Sequence, residues 1–228
     1  MTGSKLIARG AMIALGGFIL SGPVGFLIVM LTHPQPAWIS SAVFVEHYHW
    51  IQNLPYYLGF LLVGGMVMVL SGHYQDYKGN DEGTRFLLLI AVILSGVFAA
   101  LVIFNYVCQT TYIHNLAVHY SPENDHAIAA FSMSNPLSFC WANEMWGYAV
   151  LGVATALLSG YYRRSRLLVW LLWINAVVSI AAPIWTIIDV TWVMTTIGLS
   201  SYFFWNILMI VIMILIYRSS KNERPQHV

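Results

Sequence analysis

The sequence predicts an all-α integral membrane protein, with six transmembrane helices and both termini in the cytoplasm. Three observations carry that expectation. Of the 228 residues, 59% are hydrophobic and only 8% charged, roughly a third of the charge of a soluble domain. Several apolar runs reach twenty residues or more, enough to cross about 30 Å of hydrocarbon as helix. With six spans, all 10 Lys and Arg residues fall on one face, which the positive-inside rule assigns to the cytoplasm.

The spans are expected at about 7–31, 51–72, 86–110, 137–161, 167–189 and 193–217, forming one polytopic domain over 1–228. Lys5 and Arg9 precede the first, which is longer than a signal-peptide core and lacks a small-residue cleavage site, so it reads as a retained helix. Lys78 and Arg85 lie between spans 2 and 3, and Arg163, Arg164 and Arg166 between spans 4 and 5. Arg218, Lys221 and Arg224 follow span 6. A miscounted helix would scatter these residues over both faces. The expected location is a plasma (bacterial inner) membrane.

The other face is equally one-sided. His33, His47, His49, His114, His119 and His126 fall there, with Glu46, Glu123, Asp125 and Asp189, whereas His73 and His227 fall on the basic side. Its connections differ in size. The first, 32–50, opens with "HPQP", in which the two prolines oppose helix. The second, 111–136, is the longest, with "AIAAFSM" as a short interfacial helix. The third is a tight hairpin around Val190 and Thr191. "SGPVG" in span 1 and "AAPIW" in span 5 read as breaks.

Ionisable groups in apolar spans are expensive and by default functional. Glu144 is the principal one, about seven residues below the outer end of span 4, or roughly 10 Å at helical rise. Asn105 and Gln109 close span 3, Gln52 and Asn53 open span 2, and Asn143 adjoins Glu144. These positions describe a polar vestibule, open outward and closed toward the cytoplasm. Its ligand-binding set is Glu46, His47, His49, Asn53, Asn105, Gln109, Asn143, Glu144 and Asp189, with Glu144 as the candidate catalytic acid or base. Asn175 and Asn206, deeper, read as polar contacts between helices. Tyr56, Tyr57, Trp146, Tyr148 and Trp185 could wall the pocket.

Helix spacing makes one contact specific. Cys140 and Glu144 are i, i+4 on span 4, and Asn105 and Cys108 are i, i+3 on span 3. If the two cysteines meet on antiparallel neighbours, Asn105 meets Glu144 one turn deeper. Cys108 and Cys140 are therefore also the candidate disulfide, with small buried packing residues as the alternative.

A divalent metal held by His47, His49, His114 and His119 is the sharpest cofactor option, since imidazole and carboxylate suit such ions. No H-E-x-x-H or C-x-x-C spacing supports it. Haem is disfavoured, because no histidine lies deep in a span. Retinal is disfavoured too, because Lys5, Lys78 and Lys221 all lie at the basic margin. Scattered basic residues exclude a nucleic-acid partner. The leading expectation is a pocket for a small or lipophilic ligand, within the lipid bilayer. Its rivals are a small solute or proton-coupled transporter and a structural subunit of a membrane complex.

Overall fold

The computed structural model describes residues 2–222. Arg224 and His227, counted above on the basic side, lie outside the described residues. Among the described residues there is no strand, and five helical stretches are long and apolar enough to cross a membrane: Gly3–Thr32, Trp50–Asp76, Glu82–Val118, Arg166–Ile188 and Thr196–Lys221. In hydrocarbon a backbone N–H or C=O has no water to turn to, so these apolar runs satisfy their peptide groups internally as helix.

The helices in chain order are α1 (Gly3–Ile19), α2 (Gly25–Thr32), α3 (Ser41–Glu46), α4 (Leu54–Asp76), α5 (Glu82–Val107), α6 (His114–Val118), α7 (Asp125–Phe131), α8 (Phe139–Ala156), α9 (Arg166–Ile188) and α10 (Thr196–Asn222). The fourth expected span folds as α8 with a 3₁₀ turn, Leu157–Gly160. It is less apolar than the five because Asn143 and Glu144 sit within it. The long helices pack in a ring: α1 on α4, α4 on α5, α5 on α8, α8 on α9, and α10 on both α9 and α1.

Glycine sets the tightest joint. A Cβ on Gly17 would lie 2.4 Å from Leu62 N, one on Gly10 2.8 Å from Val69 N, and one on Gly65 2.3 Å from Ala14 N. Only hydrogen fits where these backbones meet, the small-residue packing that membrane bundles use.

Several contacts orient the ends. Gly3 abuts Asp76, Gly160 abuts Thr84, the Tyr161 hydroxyl donates to Asp76 Oδ2 at 2.9 Å, and Arg163 pairs with Asp81 at 3.7 Å. The start of α1, the α4–α5 connection and the end of α8 therefore share one end, the basic end. The far end carries α3, α6 and α7.

The break expected at "SGPVG" is present, and the other expected boundaries need three corrections. Span 1 is two helices joined by a π turn, Leu20–Val24, where Gly22 adopts φ −80°, ψ −107° and Pro23 brings no N–H. Span 3 does not stop at 110. It continues through a π turn, Cys108–Ile113, into α6, so His114 is helical rather than in a loop. The last connection is not a hairpin of two or three residues but a 3₁₀ turn, Val190–Met194, with Asp189 accepting from Thr191 N at 2.9 Å. "AAPIW" is no break, since Pro183 lies inside a continuous α9.

The basic end also hides a side chain that the sequence placed in a connection. His73 is fully buried in the last turn of α4, its Nδ1 bonded to Val69 O at 2.7 Å and its Nε2 to the Tyr162 hydroxyl. That bond ties α4 to the chain following α8.

Candidate functional site

The site is built where α5 and α8 run antiparallel. Ser138 Oγ accepts from Trp141 N at 3.1 Å and starts α8. Cys140 and Glu144 then fall on one face, toward α5. Asn105, fully buried, donates through Nδ2 to Glu144 Oε2 at 2.9 Å and to Cys140 O at 2.8 Å. Its Oδ1 accepts from Asn143 Nδ2 at 2.8 Å, and Asn143 also donates to Leu101 O at 2.9 Å. Asn105 is thus satisfied at both ends of its amide, and the carboxylate is held in one position.

Tyrosine hydroxyls lie near that carboxylate. Those of Tyr56 on α4, Tyr106 on α5, Tyr148 on α8 and Tyr202 on α10 all lie within reach of its charge, Tyr106 directly beside it. Tyr106 and Tyr148 share a hydroxyl–hydroxyl bond of 2.9 Å. The Tyr56 and Tyr106 rings pack with centroids 5.7 Å apart. Glu144 itself remains partly exposed, as do Tyr56 and Tyr148.

The floor is Trp205. Its ring meets Tyr148 edge-on at 4.9 Å and Phe18 at 5.6 Å, and its Nε1 donates to Asn175 Oδ1 at 2.9 Å. Asn175 Nδ2 donates in turn to Thr155 Oγ1 at 2.8 Å, which joins α8, α9 and α10 beneath the carboxylate. Asn206 donates to its own turn, at Tyr202 O, and its side-chain oxygen faces Gly22. Below lies an apolar core that includes Leu88, Leu151, Met209 and Met213.

The roof is sulfur and aromatic. Cys108 and Cys140 are free thiols in contact, packed with Met133 under Phe131, Tyr56 and Trp141. Gln109 fixes this roof, accepting from Met133 N at 3.0 Å and donating to Phe131 O at 2.8 Å. Trp141 Nε1 is buried without a partner.

Over the roof sits a small cap with its own core of Phe44, Ile113, Ala117 and Ile128. Ser41 Oγ donates to Asp125 O at 2.7 Å, tying α3 to α7. Asn53 belongs to this cap, donating to Tyr48 Oη at 2.8 Å and Gln109 O at 3.1 Å. Burial pushes the Tyr48 hydroxyl up to about 12, so it keeps its proton and can donate to His114 Nδ1, 2.8 Å away. The Tyr120 hydroxyl is raised as well, because it donates to Asp125 Oδ1 at 2.8 Å and ionising would break that bond.

The remaining expected site residues are not drawn to Glu144. Glu46 and His47 are exposed, and His47 Nδ1 bonds its own helix at Val43 O, 3.0 Å away. His49 caps the 3₁₀ turn Trp50–Asn53 and stacks on His33, with centroids 3.6 Å apart. Asp189 is exposed and caps its turn. His119 follows α6. Among the described residues no three His, Cys, Asp or Glu side chains come together as a metal site. Trp146 and Trp185 point outward, 46% and 57% exposed, so they wall nothing.

Tyr106, Tyr202 and Trp205 are the site residues the sequence reading missed. A signal existed for one: Tyr106 adjoins Asn105. The turn of α10 that brings Tyr202, toward the far end, is open to its surroundings. Tyr202, Phe203 and Phe204 are 40%, 37% and 53% exposed, and three successive residues sweep about 200° of a helix. A groove of about 350 Å³ lined by Thr196, Ile197, Ser200, Ser201 and Phe204 runs along that same turn. No family model, curated protein or solved structure matches this chain.

Proposed function

We propose that this chain is a six-span membrane protein with both termini cytoplasmic, and that it receives a small lipophilic ligand around Glu144 in its outer half. The observation that carries this reading is the Asn105–Glu144 pair. A carboxylate is fixed by an amide inside the bundle, with tyrosine hydroxyls near it, and is still partly exposed. A polar group serving only to glue helices is normally spent on its partner helix, whereas Glu144 keeps accessible surface. Pockets of this composition, mostly aromatic with a few convergent polar groups, suit small ligands.

Entry from the membrane at the outer turn of α10 fits the apolar surroundings and the roof over the site. The Trp205–Asn175–Thr155 floor and the packed core below it favour a binding site over a path through the bundle.

Native mass spectrometry after gentle extraction tests the ligand. A bound small-molecule adduct is expected on the wild-type protein and absent from Glu144→Leu, and a wild type without any adduct counts against the reading. Cysteine labelling from outside tests the topology, in a cysteine-free background with Asn80 or Glu123 changed to Cys. Position 123 is expected to react and position 80 to stay protected; the reverse overturns the orientation.

A further inference from the structure

We infer that a groove between the end of α8 and the start of α9, at the basic end, holds an anionic phospholipid, with the headgroup phosphate between Arg163 and Arg166. This site is separate from Glu144 and does not depend on a ligand there. It needs only that α9 lies in a bilayer.

The groove encloses about 310 Å³ between Ser159 and Arg163, which close α8, and Arg166, Trp170 and Trp173 of α9. The last three are spaced i, i+4 and i+7, so they share one face of their helix. Every polar side chain in this lining can donate a hydrogen bond, and none is acidic. Among the described residues, the Ser159 hydroxyl, the Arg166 guanidinium and both indole N–H groups have no partner. Arg163 is held loosely: Asp81, at 3.7 Å, is beyond hydrogen-bonding length. The Asp81 carboxylate is already engaged, accepting from Gly83 N at 3.1 Å and from the Thr84 hydroxyl at 2.7 Å. Unspent donors and two guanidiniums around one groove call for an acceptor that carries negative charge. The planar fork of arginine matches a phosphate in particular.

Depth selects a lipid over a soluble phosphate. Arg166 opens α9, an apolar helix long enough to cross a membrane, and so stands at the level of the headgroups. Trp170 and Trp173 follow about 6 and 10 Å further along the axis. At that depth an indole N–H meets ester and glycerol oxygens while its ring stays in hydrocarbon. Val177 continues the same stripe, and all three side chains are exposed, which gives an acyl chain a lane to lie along. Basic pockets between spans at the membrane surface are suited to acidic headgroups. Arg218 and Lys221, also basic and exposed, line no part of this groove.

Native mass spectrometry of the full chain tests this, after co-purified lipid has been removed by detergent exchange. Chain-matched phosphatidylglycerol and phosphatidylcholine are offered in equal amounts. The wild type is expected to retain phosphatidylglycerol about tenfold over phosphatidylcholine. The double variant Arg163→Gln, Arg166→Gln should lose that preference and keep its thermal midpoint, because both side chains are exposed and a surface pair adds little to folding. Arg166→Gln alone, at a side chain without a partner, should already reduce it. Arg218→Gln with Lys221→Gln removes the same charge and should leave the preference intact. Equal retention of the two lipids by the wild type overturns the inference, as does a preference that survives in the double variant. An equal loss in the α10 variant also overturns it, since net charge and not the groove would then select the lipid. Displacement of phosphatidylglycerol by equimolar free glycerol phosphate overturns the lipid in favour of a soluble phosphate ester.

Discussion

Asn105 Nδ2 and Glu144 Oε2 lie 2.9 Å apart across two antiparallel helices, and the same nitrogen reaches Cys140 O one turn nearer the far end. One amide thus ties a side chain and a main-chain carbonyl of α8 to α5. Its own oxygen is taken by Asn143. Asn105→Ala removes three hydrogen bonds at once and strands buried partners, which costs about 2–4 kcal/mol. Glu144→Gln keeps the shape and one acceptor, so it should cost less than half as much. Thermal unfolding in detergent, with both variants side by side, measures the difference; equal losses would mean that the carboxylate charge itself holds the helices.

The α1–α4 joint makes a prediction without any polar group. Gly17→Ala places a methyl carbon 2.4 Å from Leu62 N. Backbone cannot rotate away, so the helices must part, at about 1–3 kcal/mol. Its neighbour Gly16 faces open space, with nothing within 4 Å. Gly16→Ala should be neutral or stabilise by up to about 1 kcal/mol through helix propensity. Adjacent glycines with opposite outcomes in the same unfolding assay would establish which face of α1 is packed.

At the basic end, Tyr162→Phe leaves His73 Nε2 without its hydroxyl partner in a fully buried setting. The expected loss is about 1–2 kcal/mol. Faster hydrogen exchange in the last turn of α4 should accompany it, because that bond joins this turn to the chain after α8. Unchanged exchange there would show that the ring packing of His73 on Tyr161 and Tyr162 is sufficient.

Asp81 gives a pH dependence. The Thr84 hydroxyl, 2.7 Å from Oδ2, is the main cause holding its carboxyl below the ordinary 3.8, helped by the Thr84 and Gly83 amides and by Arg163. A folded-state value below the unfolded one means that the contribution is present above pH 3.8 and is lost as pH falls through the lower, folded value. Amide exchange of Gly83 and Thr84 should therefore stay constant from neutral pH to about 4 after correction for intrinsic rates, then rise in more acid solution. Asp81→Asn should flatten that rise.

The sequence carried the long helices and the central contact for different reasons. Length and apolarity mark a membrane helix without any tertiary information. Asn105 and Glu144 were legible because depth, i+3 and i+4 offsets and antiparallel neighbours together leave little freedom. Of the cap only the short helix around "AIAAFSM" was legible, and its core was not: Phe44, Ile113 and Ile128 are far apart in the chain and belong to no single periodic run. The continuation of span 3 to Val118 was obscured by "QTTYIHN", whose polar residues resemble a loop until a π turn carries them into the cap. Tyr202 and Trp205 were obscured for the opposite reason. Within an apolar span an aromatic residue satisfies lipid and core equally, and no period distinguishes the two.

The ring of helices has a seam in time as well as in space. α10 packs on α1, so α1 leaves the ribosome long before the neighbour that covers it. Until the 27-residue α10 emerges, the Phe18 flank of α1 has no Trp205 against it, and Asn175 waits for its indole donor. The glycine joint between α1 and α4 needs only the earlier of these helices, whereas the floor beneath Glu144 is completed only once α10 has been made. A chain cut short before α10 would insert, pair its first helices and carry Glu144 over an unfinished floor, which is the form a membrane quality-control protease would meet.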